Sequence, residues 1–106
     1  MTVLITGAGL IATHSAVSLI NRGEDVVFYD VAPDQAYIDL VLEGRKYALV
    51  KGDILDLAHL LEVAKKHNVT GIVHTAALLP RQAAANPSLA TRVNVDGAVN
   101  LFEAHR

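Results

Sequence analysis

The stretch Val3-Leu4-Ile5-Thr6-Gly7-Ala8-Gly9-Leu10-Ile11-Ala12 decides how the rest of the chain is read. Val3-Leu4-Ile5 is a short, mostly β-branched apolar run, and Thr6-Gly7-Ala8-Gly9 ends it in a tight turn. An apolar run of this length bounded by glycine is the pattern of a parallel strand buried on both faces. Beyond the turn, Ile11, Ala12, Ala16, Leu19 and Ile20 recur at helical spacing over residues 10–22, and Gly23 follows as a helix stop. Strand, glycine turn and helix therefore follow one another without a linker. In that setting Gly7 permits the sharp turn, Gly9 lets backbone approach a ligand, and Ala12 keeps helix and strand close.

Outward from this unit the same alternation continues. Asp25-Val26-Val27-Phe28-Tyr29-Asp30 reads as a second strand with an acid at its carboxyl end. Pro33 breaks the chain, and residues 35–43 form a short helix through Ile38, Val41 and Leu42 before Gly44. Residues 47–51 make a third strand. Leu57, Leu60, Leu61 and Ala64 lie at i, i+3, i+4 and i+7, with Asp56 ahead of them and Lys65-Lys66-His67 behind, charges that suit a helix dipole. Gly71-Ile72-Val73-His74 is a fourth strand, residues 75–86 are a loop carrying Pro80, and Pro87 opens a last helix through Leu89, Val93, Ala98, Leu101 and Phe102. Connections too long for hairpins and right-handed crossovers predict an α/β, Rossmann-type open parallel sheet in the order 3-2-1-4 with helices on both faces, an incomplete doubly wound fold.

Composition narrows the function. The 106 residues are 52% hydrophobic, 19% charged and 5% aromatic, the balance of a folded core and not of a disordered tail. The length predicts one unit, residues 1–106, the amino-terminal half of a Rossmann domain with no second domain. Ala104-His105-Arg106 continues the last helical pattern without a stop, so a chain cut from a longer one is expected. A net charge of −2 with scattered Lys and Arg argues against nucleic acid. The absence of cysteine removes disulfides, thiolate nucleophiles and Cys-ligated zinc, the five His show no metal-ligand spacing, and no metal site is expected. No apolar run approaches the roughly 20 residues of a membrane span, and the first ten residues run into the glycine turn instead of a cleavable signal. A cytoplasmic protein without membrane contact is the expectation.

The candidate site begins at the turn. Gly7-Ala8-Gly9-Leu10-Ile11-Ala12 is a G-x-G-x-x-A pattern, and the helix that follows offers unpaired N–H groups and a partial positive charge to phosphate oxygens. A tight βα turn without a ligand would have the same spelling, so the strand on one side and the helix on the other carry the argument. Asp30 stands 23 residues after Gly7, near the roughly 20-residue offset at which an acid accepts hydrogen bonds from the adenosine ribose. Its carboxylate repels a 2′-phosphate, and Val31-Ala32-Pro33 supply no Arg to neutralise one, which favours NAD over NADP.

These residues resemble the extended short-chain dehydrogenase/reductases, the NAD-dependent epimerase/dehydratase family, and the chain is similar to its amino-terminal part. Thr6 to His14 resembles that family's glycine motif, Lys51-Gly52-Asp53-Ile54-Leu55-Asp56 its third-strand motif, and Val73-His74-Thr75-Ala76-Ala77 its fourth-strand motif. The segment from Asn94 to Ala104 is similar to the helix pattern N-V-x-G-T-x-N-L-x-E-A. The resemblance implies that Gly7, Gly9, Leu10 and Ile11 line the pyrophosphate, that Asp30 holds the adenosine ribose, and that Asp53 and Ile54 border the adenine. Asp53 would accept from the exocyclic amine and Ile54 would offer an apolar wall. Thr75, Ala76 and Ala77 would pass beneath the pyrophosphate and nicotinamide ribose, where small side chains permit close approach, and Asn94 would be a polar helix residue near the cofactor, or else a helix Asn bonded to a neighbouring loop.

The implied activity is that of an NAD-dependent epimerase, dehydratase or dehydrogenase acting on a hydroxyl-bearing small molecule such as a nucleotide sugar. A homo-oligomer is compatible with it. The chain departs from the family in two ways. Gly7 and Gly9 bracket one residue where the family has two (T-G-x-x-G-x-x-G), and Ala12 replaces the third glycine. The Ser or Thr, Tyr and Lys that carry out the family's chemistry lie downstream of the last segment matched, so no catalytic residue is expected within this chain. A non-catalytic nucleotide-sensing or scaffold module is the alternative reading, and a fragment self-associating through an open Ile72-Val73 edge is a third. Tyr47-Ala48-Leu49-Val50-Lys51 spells Y-x-x-x-K, but on a strand residues four apart are separated by roughly 13 Å, so phenol and ammonium cannot act together. His14 and His74 have no carboxylate or nucleophile at a recognisable spacing and are read as packing or capping residues.

Overall fold

A computed structural model describes residues 1–75. The elements are β1 (Thr2–Thr6), α1 (Leu10–Asn21), β2 (Asp25–Asp30), α2 (Gln35–Leu42), β3 (Ala48–Lys51), α3 (Leu57–Lys66) and β4 (Val69–His74). All strand pairs are parallel and the sheet order is β3-β2-β1-β4. The expected order and the expected alternation are both observed. The loop of residues 75–86, apart from Thr75, and the helix opened by Pro87 lie outside the described residues.

The apolar runs are continuous because both faces of the sheet are covered. Side chains alternate along a strand, so Val3 and Ile5 of β1, with Val26 and Phe28 of β2, enter one cluster together with Ala12 and Ala16 of α1 and Ile38 and Leu42 of α2. Leu4, Val27 and Tyr29 point the other way and pack with Ile54 and with Leu60 and Val63 of α3. Helices α1 and α2 thus cover one face and α3 the other. Consecutive crossovers move outward from β1 to β2 to β3, and the α3 crossover then carries the chain back past β1 to β4. The order reverses between β1 and β4, which makes the carboxyl ends of these two strands the switch point of the sheet.

Several details differ from the sequence expectation. Ile11, counted with the buried stripe of α1, is 70% exposed, and its place in the core is taken by Thr13. The Thr13 hydroxyl satisfies itself inside the helix by donating to the Gly9 carbonyl at 2.7 Å, which makes a polar residue tolerable there. In α3, Leu61 is exposed and Val63 is buried instead, so the inward stripe is narrower than the i, i+3, i+4 pattern implied. β3 begins at Ala48 and β4 at Val69, with a register irregularity where Thr2 meets Val69 and Val3 meets Gly71.

Candidate functional site

The carboxyl edge of the sheet collects residues that are far apart in the chain, and a run of hydrogen bonds crosses it from β3 to β4. The Gly52 N–H donates to the Asp30 carbonyl at 3.0 Å, the Gly7 N–H to the Tyr29 carbonyl at 2.8 Å, and the Thr75 N–H to the Thr6 carbonyl at 3.0 Å. Gly7, Asp30, Asp53 and Thr75 are therefore set side by side along one edge, as the sequence reading required. Ala76, Ala77 and Asn94 lie outside the described residues.

Gly7 has φ of 89°, a left-handed conformation that other residues adopt only at a cost, so the turn demands glycine there. Gly9 is needed for another reason. Its φ is −90° and a Cβ on it would meet nothing within 4 Å, so its missing side chain leaves an open approach to the backbone. Gly9 is also the N-cap of α1, without a side chain to cap it, whereas Asp34 caps α2 and Asp56 caps α3 by accepting from the N–H groups of Tyr37 and His59. The first turn of α1 thus keeps its unpaired donors and positive dipole end for an outside acceptor. Leu10 and Ile11, 67% and 70% exposed, flank this opening.

Asp30 ends β2 and is half-buried. One carboxylate oxygen accepts the Ala32 N–H at 3.0 Å, which holds the side chain in place, and the other has no partner among the described residues. Val31 and Ala32 beside it bring no positive charge, while Lys51 of β3 is its register partner across the sheet. Asp53 is exposed in the turn after β3, where its Oδ1 accepts the Leu55 N–H at 2.9 Å and its carbonyl accepts the Asp56 N–H at 2.9 Å. The Ile54 side chain is turned into the core against Leu4, Val27 and Tyr29, with 5% of its surface exposed. Only a margin of it faces outward, so the wall it offers a planar base is slight.

At the switch point β1 and β4 are pinned through Thr6, a fully buried polar residue. Its hydroxyl lies 2.7 Å from His74 Nδ1 and accepts the Thr75 N–H at 3.1 Å, while the Thr75 hydroxyl donates to the Thr6 carbonyl. Burial pushes the His74 imidazole below its ordinary value, so the ring stays neutral in this contact. His14 Nδ1 lies 2.8 Å from the Leu10 carbonyl of its own helix. Both contacts are of the packing or capping kind the sequence suggests for these histidines. Tyr47 precedes the strand that carries Lys51, and its phenol bonds to Asp39 and Gln35, so the Y-x-x-x-K spelling is accidental. Sequence reasoning passed over Thr6, Tyr29 and Gly52, although each carried a signal: a polar residue closing an apolar strand, a phenol before the acid, a glycine before an exposed aspartate.

A shallow groove lined by Thr2, Asp25, Lys46, Tyr47 and His67 lies at the opposite, amino edge of the sheet, away from these residues. No group of three or more His, Cys, Asp or Glu among the described residues is placed to hold a metal ion. No helix among them is long and apolar enough to cross a membrane.

A sequence model of the NAD dependent epimerase/dehydratase family matches residues 3–106. The chain belongs to that family. Among curated relatives, the UDP-glucose 4-epimerase of Erwinia amylovora is 32% identical over 112 residues, covering 100% of this chain and 33% of the relative. The UDP-glucuronate 4-epimerase 4 of Arabidopsis thaliana is 37% identical over 113 residues, covering 97% and 25%. Among solved structures, a UDP-glucose-4-epimerase from Stenotrophomonas maltophila with bound NAD and formylated UDP-arabinopyranose superposes with a TM-score of 0.86 at 28% identity, covering 98% of this chain and 33% of that one. The epimerase/dehydratase chain described here thus spans a quarter to a third of the length of these relatives.

Proposed function

We propose that this chain forms the NAD-binding part of an NAD-dependent epimerase, dehydratase or dehydrogenase whose substrate is a hydroxyl-bearing small molecule of the nucleotide-sugar class. The observation that carries the reading is the assembly on one sheet edge of an uncapped helix N-terminus behind an open Gly9 and an anchored Asp30 with a carboxylate oxygen left to accept. That arrangement fits both ends of an adenosine diphosphate moiety: donors for the pyrophosphate, and an acceptor for the ribose hydroxyls. NAD, when bound, supplies the hydride acceptor for oxidation of a substrate hydroxyl.

The chain's own residues bind and orient. The α1 terminus, with Gly7, Gly9, Leu10 and Ile11, holds the pyrophosphate, Asp30 the adenosine ribose, and Asp53 the adenine amine, with Ile54 beside it. Thr75 serves the nicotinamide half, to which the family resemblance also assigns Ala76, Ala77 and Asn94. The nucleotide-sugar class rests on the relatives, which act on UDP-sugars by name.

Calorimetric titration with NAD, NADP and NADH, repeated on Asp30→Ala, tests the reading. NAD should bind in preference to NADP, and the substitution should weaken NAD by about tenfold or more, the worth of hydrogen bonds to a charged acceptor, and narrow or invert the preference. A folded protein that binds none of the three overturns it and puts a scaffold role in its place.

A further inference from the structure

Tyr29 is one of the most completely buried side chains among the described residues, yet its hydroxyl does not end in the core. It reaches past the end of β2 and donates to the Asp53 carbonyl at 3.0 Å. A phenol carries one proton and a carbonyl can only accept, so His59 Nδ1, also 3.0 Å from the phenol oxygen, is the donor in that second contact. The two rings pack at 5.4 Å between centroids. The Asp53 carbonyl further accepts the Asp56 N–H, and the Asp56 side chain accepts the N–H of His59 at 3.1 Å. The bonds close a circuit: Tyr29, Asp53, Asp56, His59 and back to Tyr29. Gly52 completes the fit, because a Cβ there would stand 2.5 Å from the Tyr29 ring. A phenylalanine would fill the same space, so packing alone does not call for the hydroxyl. Burial, reinforced by the nearby Asp56 and Asp53 carboxylates, pushes the phenol up to about 12, which keeps it a donor at any physiological pH.

We infer that Tyr29, steadied by His59, is a positioning residue that fixes the Asp53 turn and so sets the selectivity of the site for adenine over other purine bases. The inference rests on the assignment of Asp53 to the base. With Oδ1 held by the Leu55 N–H, Asp53 has its second carboxylate oxygen left to accept from an exocyclic amine. A base with a carbonyl at that position would set acceptor against acceptor and be rejected.

The test uses the full chain and two probes, NAD and nicotinamide hypoxanthine dinucleotide, which carries a carbonyl where adenine has its amine. The wild-type protein should favour NAD by about tenfold. Tyr29→Phe, which keeps the ring, should bring that preference down by about threefold or more through loss of one positioning hydrogen bond, with the affinity for nicotinamide mononucleotide unchanged. His59→Ala should act in the same direction, and His59→Gln, which retains a donor, should restore part of the preference. If the wild type does not distinguish the two dinucleotides, Asp53 does not read the base and the inference falls with that assignment. If the wild type distinguishes them and both Tyr29→Phe and His59→Ala do so equally well, the inference alone is overturned. Equal weakening of both dinucleotides at an unchanged ratio also overturns it, since that is the mark of general loosening.

Discussion

At the scale of single residues, the candidate site depends on two glycines for different reasons. Gly7 is required by its left-handed backbone, Gly52 by the ring beneath it. The second requirement is testable apart from any ligand. Tyr29 is enclosed by Leu4, Val27, Ile54 and Leu60 and cannot swing away, so Gly52→Ala forces either the ring or the turn to move. Overpacking of this kind is expected to lower stability by about 1–3 kcal/mol, read from the midpoint of urea unfolding, and an unchanged midpoint would mean that the turn yields freely. Asp30 and Gly7 could be singled out from residue type and offset, because an acid ending the second strand and a glycine at the first strand-to-helix turn fit a spacing rule along the chain. Tyr29 and Gly52 were not, because what makes each important is the other, and their contact is made across the sheet edge.

At the scale of elements, the three helices of the described residues differ at their amino ends in a way that separates stability from binding. Asp34 and Asp56 cap α2 and α3, and α1 starts on a bare glycine. Asp56→Ala is expected to cost about 1 kcal/mol of stability, the usual worth of such a cap, in chemical denaturation. Gly9→Ser should do the reverse. Space for the side chain exists, and a serine can take one of the free N–H groups of α1. Stability should rise by a few tenths of a kcal/mol while NAD binding weakens by calorimetry, because the cap competes with the pyrophosphate for the same donors. If binding survives intact, the α1 terminus is not the phosphate site. The helices and strands of the described residues were legible from periodicity to within a residue or two. The buried face of each helix was less so, since Thr13 and Val63 lie inward where the pattern had favoured Ile11 and Leu61. Periodicity sets the angle of a stripe, and the neighbouring element decides how wide a stripe it covers.

At the scale of the whole molecule, two tyrosines make stability depend on alkaline pH. Burial raises both Tyr29 and Tyr47 from 10.0 to about 12, with the neighbouring carboxylates adding to the effect. Above pH 10 the unfolded chain releases these protons and the folded chain retains them, so the folded state binds more protons and stability falls as pH rises. The stabilisation is complete below pH 10 and is lost on the way to about pH 12. Melting temperatures measured across that range should decline, and Tyr29→Phe should flatten the decline; an equally steep limb in the variant would contradict the burial of the phenol.

The sequence by itself determined the α/β class, the β3-β2-β1-β4 order and the chemical types at the site, because these follow from local periodicity, from the handedness of parallel crossovers and from residues whose spacing along the chain is diagnostic. Only the tertiary structure decided that Asp30 is anchored by Ala32, that Ile54 faces the core instead of the edge, that Thr6 pins β4 to β1, and that the Tyr29 hydroxyl donates to the Asp53 carbonyl. Each of those is a contact between groups that share no spacing rule, fixed by which side chains the sheet brings within hydrogen-bonding distance.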